Sequence, residues 1–197
     1  MSPDELEALE IRLVLEAIYL RYGHDFREYG AESIRRCLRA VLASTRAPNL
    51  GELQHRLLAE PAFFEHVMNE LTIQVSAMFR DPQFYAYFRA RVVPMLRTYP
   101  ALKVWHAGCA AGEEVYAMAI VLTEAGLYER TQIYATDVNQ SAVARAREGV
   151  YPESLADGFA ASYVASGGTG RFEDYFRRAG GGIVAGAELR KNVVWFH

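Results

Sequence analysis

Through the first half of the chain apolar residues return every three or four positions. Leu6, Leu9, Leu13, Ala17 and Leu20 form one such run, closed by Gly23, and the spacing predicts a helix. Ser33 to Ala43 predicts a second, with Ile34, Leu38, Val41 and Leu42 on its apolar side. Shorter helices are expected over residues 50–59 and 61–70, the latter opened by Pro61 at a first-turn position, and a longer one from Phe84 to Leu96. Near Tyr99-Pro100 the period changes from helical to strand-like. A strand-like run from Leu102 to Ala107 enters the turn Gly108-Cys109-Ala110-Ala111-Gly112, and a helical pattern, Val115 to Leu122, leaves it. A second strand-like run, Gln132-Ile133-Tyr134-Ala135-Thr136, ends on Asp137. The pattern therefore predicts an all-α N-terminal domain with a linker helix over residues 1–99, followed by an α/β Rossmann-like domain over 100–197.

The βαβ unit carries the candidate chemistry. Strand, glycine turn, helix, strand and acid is how such a unit holds a nucleoside: glycines let the backbone approach, and the acid accepts hydrogen bonds from ribose hydroxyls. A dinucleotide fingerprint needs G-x-G-x-x-G, but residue 110 is alanine and residue 113 is glutamate. A P-loop needs a lysine after its last glycine, and Glu113 stands there instead. Glu113 and Glu114 would repel a pyrophosphate but suit a ligand that has no phosphate and carries positive charge. S-adenosylmethionine, with its sulfonium and α-ammonium, fits.

Composition narrows the remaining classes. Of 197 residues 51% are hydrophobic and 23% charged, enough for a packed core in a soluble protein. A net charge of −3 argues against a general nucleic-acid-binding or membrane-surface protein. No apolar run approaches membrane-span length, and the opening Met1-Ser2-Pro3-Asp4-Glu5 is acidic rather than signal-like. Two cysteines, Cys37 and Cys109, fit a reducing cytoplasm, and with no Cys/His cluster no metal site is expected.

Three stretches, in order, resemble the chemotaxis receptor glutamate O-methyltransferases, the CheR family: Leu71-Thr72-Ile73-Gln74-Val75-Ser76-Ala77-Met78-Phe79-Arg80-Asp81, then Val104 to Glu114, then Ala135-Thr136-Asp137-Val138-Asn139. A fourth, Ala144 to Tyr151, is similar to a further family segment. The resemblance implies S-adenosyl-L-methionine as cofactor, with S-adenosyl-L-homocysteine as product, and methyl transfer to glutamate side chains on the cytoplasmic helical domain of chemotaxis receptors. It implies cofactor contacts from Gln74, Ser76, Arg80, Ala107, Gly108, Gly112, Glu114 and Asp137, and gives Arg80 the catalytic, carboxylate-orienting place. Gln74 and Ser76 stand where the family usually has Asn and Thr. Arg35, Arg39 and Arg46 fall nearly on one line at helical spacing, with Arg36 beside them, and by resemblance Arg35, Arg36 and Arg39 face the receptor. His106 replaces a small residue and reads as packing or a local hydrogen bond.

The resemblance also implies a small inserted β-subdomain around residues 150–190 and a third parallel strand at Asn192–His197. Family members continue past this point, so the chain is expected to be truncated, with impaired activity and an uncovered sheet edge open to self-association or domain exchange. The segment around Tyr175–Ile183 looks shorter than in members that grip a receptor's pentapeptide tether, which favours docking without one. The alternatives are a non-catalytic interaction or cofactor-sensing module, and a nicotinamide-dependent oxidoreductase that the turn disfavours.

Overall fold

The computed structural model describes residues 2–71 and 76–197. The chain divides into two compact units, Met1–Ile73 and Gln74–His197.

The first unit is four helices: α1 (Pro3–Tyr22), α2 (Ala31–Thr45), α3 (Leu50–Ala59) and α4 (Pro61–Leu71). Ser2 and Glu5 cap the start of α1 reciprocally, and Gly23 ends it at φ 79°. The buried face of α1 is Val14, Leu15, Ala17 and Ile18, whereas Leu6, Leu13 and Leu20 are exposed. Of the stripe expected from the sequence, Ala17 alone is buried. Leucine, isoleucine and valine lie nearly all round this helix, so periodicity alone cannot choose its face. On α2 the expected face is the observed one: Ile34, Leu38 and Val41 are buried and Leu42 partly so. The core closes with Leu53, Leu57, Val67 and Leu71, and Tyr22 stacks on Phe64 while donating its hydroxyl to the Leu57 carbonyl at 2.5 Å.

The second unit begins with a helix in three parts: α5 (Pro82–Tyr87), a π-helical turn (Phe88–Val92) and α6 (Val93–Leu96). The sequence places this helix in the N-terminal domain, ending at residue 99; the structure places it in the second compact unit. The reason is packing and charge. Tyr85 and Val93 join the second unit's core, and Arg89 reaches Glu124 at 2.5 Å with both side chains largely shielded from water. Pro94 cannot donate a backbone hydrogen bond, in keeping with the irregular turn before it.

Beyond it run β1 (Leu102–Ala107), α7 (Glu113–Glu124), β2 (Thr131–Thr136), α8 (Gln140–Glu148), β3 (Val150–Pro152), α9 (Ala156–Ala165), β4 (Phe176–Ala179), β5 (Gly182–Ala185), α10 (Ala187–Arg190) and β6 (Val193–Phe196). Among the described residues β1, β2 and β6 form a parallel sheet in the order β1-β2-β6, with Trp105 opposite Tyr134 and Tyr134 opposite Val194. Both crossovers step the same way across the sheet, which puts α7 and α8 on one face. Ile133 and Ala135 are buried there, while Trp105 on the other face is 71% exposed. The helix α7 is buried almost all round, from Val115 to Leu122, as expected of an element at the centre of its unit. Strands β3, β5 and β4 make a separate antiparallel sheet in the order β3-β5-β4.

Glu124, at the end of α7, knits these parts together. Its Oε1 accepts from the Tyr163 and Tyr175 hydroxyls and from the backbone N–H groups of Thr169 and Gly170. Burial alone would raise its pKa, but these hydrogen bonds and Arg89 hold it below the usual carboxylate range.

Candidate cofactor and acceptor site

The turn after β1 is built by its own backbone. Gly108 and Cys109 both donate to the Thr136 carbonyl at the end of β2, at 2.8 and 2.9 Å, and Gly112 donates to Cys109. Gly108 (φ 77°), Ala110 (φ 48°) and Gly112 (φ 88°) are all left-handed, a conformation costly for residues with a Cβ. The buried Tyr151 donates its hydroxyl to the Ala111 carbonyl at 2.9 Å, pinning the outer part of the turn.

The two glycines serve different ends. A Cβ on Gly108 would meet nothing within 4 Å, so this backbone borders open space at the exposed strand end beside Ala107. A Cβ on Gly112 would come within 2.9 Å of Ala146 Cβ and 3.3 Å of Trp195. Gly112 is therefore a packing glycine that lets α8 and β6 close on the start of α7, a role the motif does not reveal.

Asp137 sits just past β2 and is half-buried. Its Oδ2 accepts from the Ala110 N–H and its Oδ1 from the Asn139 N–H, each at 2.8 Å. The carboxylate thus ties the glycine turn to the start of α8, whose Asn139 cap bonds Ala142. Each oxygen retains a second lone pair for a ribose hydroxyl. This tie was not legible in the sequence, because a 27-residue separation carries no local signal.

The consecutive glutamates part company. Glu113 is buried, while Glu114 is exposed on a cleft. That cleft, of about 590 Å³, is lined by Ser76, Ala77, Arg80, Asp81, Phe84, Tyr85 and Glu114. Three sequence-predicted site residues, Ser76, Arg80 and Glu114, therefore share one cavity; Gln74 lies outside the described residues. Arg80 is exposed and follows Phe79, which holds φ 53° and is fully buried against Tyr85 and Tyr163 at ring separations of 5.0 and 5.5 Å. A left-handed aromatic residue is rare, and it persists here because the surrounding packing over-determines it. The Arg80 N–H closes the bend on the Ala77 carbonyl. Met78 is wholly buried beside Phe79.

The surroundings of Glu114 are polar on one side. His106 Nδ1 lies 2.9 Å from its Oε1, and this hydrogen bond, opposed by partial burial, holds the carboxyl below its ordinary pKa. Cys109, by contrast, is buried beside Asp137, and its thiol is pushed up to about 12. It stays protonated at neutral pH and is no nucleophile.

On α2 the predicted receptor-facing arginines are partly spoken for. Arg35 lies 3.1 Å from Glu7 and 2.7 Å from Glu32, and Arg39 lies 3.1 Å from Glu7, while Arg36 is exposed. The basic stripe read from the sequence is thus reduced by Glu7 of α1, which is remote in the chain. Among the described residues no three His, Cys, Asp or Glu side chains gather as a metal site, and no helix is long and apolar enough to cross a membrane.

The residues present fit S-adenosylmethionine: an acid past β2, open space at Gly108, and an ionised, accessible Glu114 in a cleft with Ser76. Comparison with known proteins agrees. The family described as "CheR methyltransferase, SAM binding domain" matches residues 74–194, and "CheR methyltransferase, all-alpha domain" matches residues 9–72. Cher3 of Pseudomonas putida, which carries a methyltransferase name, is 44% identical over 195 residues, spanning 99% of this chain and 71% of the relative. An uncharacterized 104.1 kDa protein of Rhodobacter capsulatus is 26% identical over 98% of this chain and 20% of its own length. Chemotaxis protein methyltransferase 2 of Pseudomonas aeruginosa is 29% identical over 73% of this chain and 52% of its own length. With both family domains matched in order across nearly the whole sequence, the chain belongs to the CheR methyltransferase family, an all-α domain followed by a domain that binds S-adenosylmethionine.

Proposed function

We propose that this chain serves cytoplasmic methyl transfer from S-adenosylmethionine to glutamate carboxylates on the helical domain of chemotaxis receptors. One observation carries the reading: Ser76, Arg80 and Glu114 line a single cleft, so a cation-binding carboxylate and a carboxylate-binding arginine face the same space. When bound, the cofactor supplies a methyl group activated by its sulfonium. Glu114 holds the α-ammonium by charge, and Asp137 receives the ribose hydroxyls on lone pairs not used by Ala110 and Asn139. Gly108 leaves room for the nucleoside. Arg80 pairs with the incoming carboxylate and orients one oxygen for in-line attack.

No general base is needed, because an acceptor glutamate with an ordinary pKa of about 4.3 is already ionised at neutral pH. Catalysis then rests on alignment and on keeping water out. Arg36 and the exposed Arg39, with Arg35 paired to Glu7 and Glu32 beside them, offer the charge that meets an acidic receptor helix.

Incubation with radiolabelled cofactor and receptor-bearing membranes tests the reading. Base-labile label on the receptor, formed at a low rate in keeping with the impaired activity expected of this chain and lost in Arg80→Ala, is the expected result. Cofactor binding without receptor labelling would replace it with a non-catalytic cofactor-sensing module.

A further inference from the structure

His106 lies next to the last residue of β1, opposite Ala135 of β2, and is 7% exposed. Its Nδ1 meets Glu114 Oε1 at 2.9 Å, whereas its Nε2 is buried with no hydrogen-bond partner among the described residues. An ionised carboxylate only accepts, so Nδ1 carries the hydrogen and donates it. The imidazole is thus a donor to a single partner, carried by β1.

Glu114 needs such a partner. Its side chain is 64% exposed, and an exposed glutamate at the head of a helix samples several rotamers. A carboxylate that must be ordered when a ligand arrives loses affinity for it. We propose that His106 is a positioning residue for cofactor binding: it fixes Glu114 by way of Oε1 and leaves the second carboxylate oxygen for an ammonium group in the cleft shared with Ser76 and Arg80. This rests on the S-adenosylmethionine reading of that cleft. The imidazole touches no ligand and acts only through Glu114.

The test is calorimetric titration of the full 197-residue chain with S-adenosylhomocysteine, which keeps the ammonium and lacks the reactive methyl. His106→Ala is expected to weaken affinity about fivefold to tenfold, the scale of ordering one side chain on binding. His106→Asn places an amide N–H where Nδ1–H stands, and it is expected to restore affinity to within about twofold of the parent. In a Glu114→Ala background, His106→Ala is expected to add no further loss. A loss that persists there, or an Asn variant as weak as the Ala variant, would show that His106 acts by packing and overturn the proposal. Equal affinity of parent and His106→Ala would overturn it while leaving the cofactor reading intact; absence of binding by the parent would end both. Should His106→Ala not fold, ¹⁵N resonances of the parent's imidazole decide: a hydrogen on Nδ1 is expected, and a hydrogen on Nε2 alone refutes the pairing.

Discussion

Replacing each glycine of the turn by alanine separates binding from folding. Gly108 and Gly112 both have positive φ, so each substitution carries a backbone cost of about 1–2 kcal/mol. At Gly108 nothing more is added, because a Cβ there meets no atom within 4 Å. At Gly112 the new carbon lies 2.9 Å from Ala146 Cβ, 3.2 Å from its Cα and 3.3 Å from Trp195. Ala146 is buried in α8 and cannot retreat, so overpacking adds about 1–3 kcal/mol. The sum at Gly112 is about 2–5 kcal/mol, or about 8–20 °C in the melting of a unit of this size, against about 4–8 °C at Gly108. Binding should rank the other way. The Gly108 methyl enters the space assigned to the nucleoside, whereas the Gly112 methyl points into the core. Thermal melts followed by calorimetry with S-adenosylhomocysteine read both quantities on the same samples. Gly108→Ala is expected to lose most affinity at a modest cost in melting temperature. Gly112→Ala is expected to melt earliest, yet to bind nearly normally while folded. Full affinity in Gly108→Ala would show that the ligand does not pass the turn there, and the site would have to be redrawn.

Asp137→Asn keeps an acceptor for the Ala110 or Asn139 N–H and should weaken cofactor binding about tenfold, whereas Asp137→Ala should also lower the melting temperature by untying the turn; equal melts would dismiss the structural tie. Glu124→Gln leaves Arg89 without its buried countercharge and should destabilise the second unit by about 3–5 kcal/mol, read by urea denaturation. Because Glu124 ionises below its ordinary range when folded, its contribution is present above the unfolded carboxylate pKa of about 4.3 and is lost as pH falls through the folded value; a parent and variant with parallel acid-denaturation curves would contradict this. Cys109, with its thiol raised to about 12, should resist iodoacetamide at pH 8 until the chain is unfolded, and rapid labelling of the native protein would show the turn to be open.

The cofactor-binding half of the molecule was legible because its elements are local. A strand, a glycine turn, a helix of continuous apolar residues and an acid at the next strand end can each be read within about a dozen residues, and β1, α7, β2 and Asp137 stand where that reading puts them. What escaped it depends on long-range contacts. The helix Pro82–Leu96 has ordinary helical spacing, and only Arg89 meeting Glu124 and Tyr85 entering the second core show to which unit it belongs. The α2 arginines look like a free basic face until Glu7, remote in sequence, is placed beside Arg35 and Arg39. Gly112 reads as part of a ligand motif, and its contact with Ala146 reveals a second reason for glycine. Glu113 and Glu114 are identical in the sequence, but one helical step sends the first into the core and the second to the cleft.

The central claim is that the Gly108–Gly112 turn, Asp137 and Glu114 bind the nucleoside and ammonium of S-adenosylmethionine rather than a dinucleotide. Calorimetry of this chain against S-adenosylhomocysteine and, separately, NADH tests it most directly. The account predicts saturable binding of S-adenosylhomocysteine, weakened at least tenfold in Glu114→Ala by loss of the ammonium's countercharge, and no heat of binding with NADH. Binding of NADH, or S-adenosylhomocysteine affinity unchanged in Glu114→Ala, would contradict it.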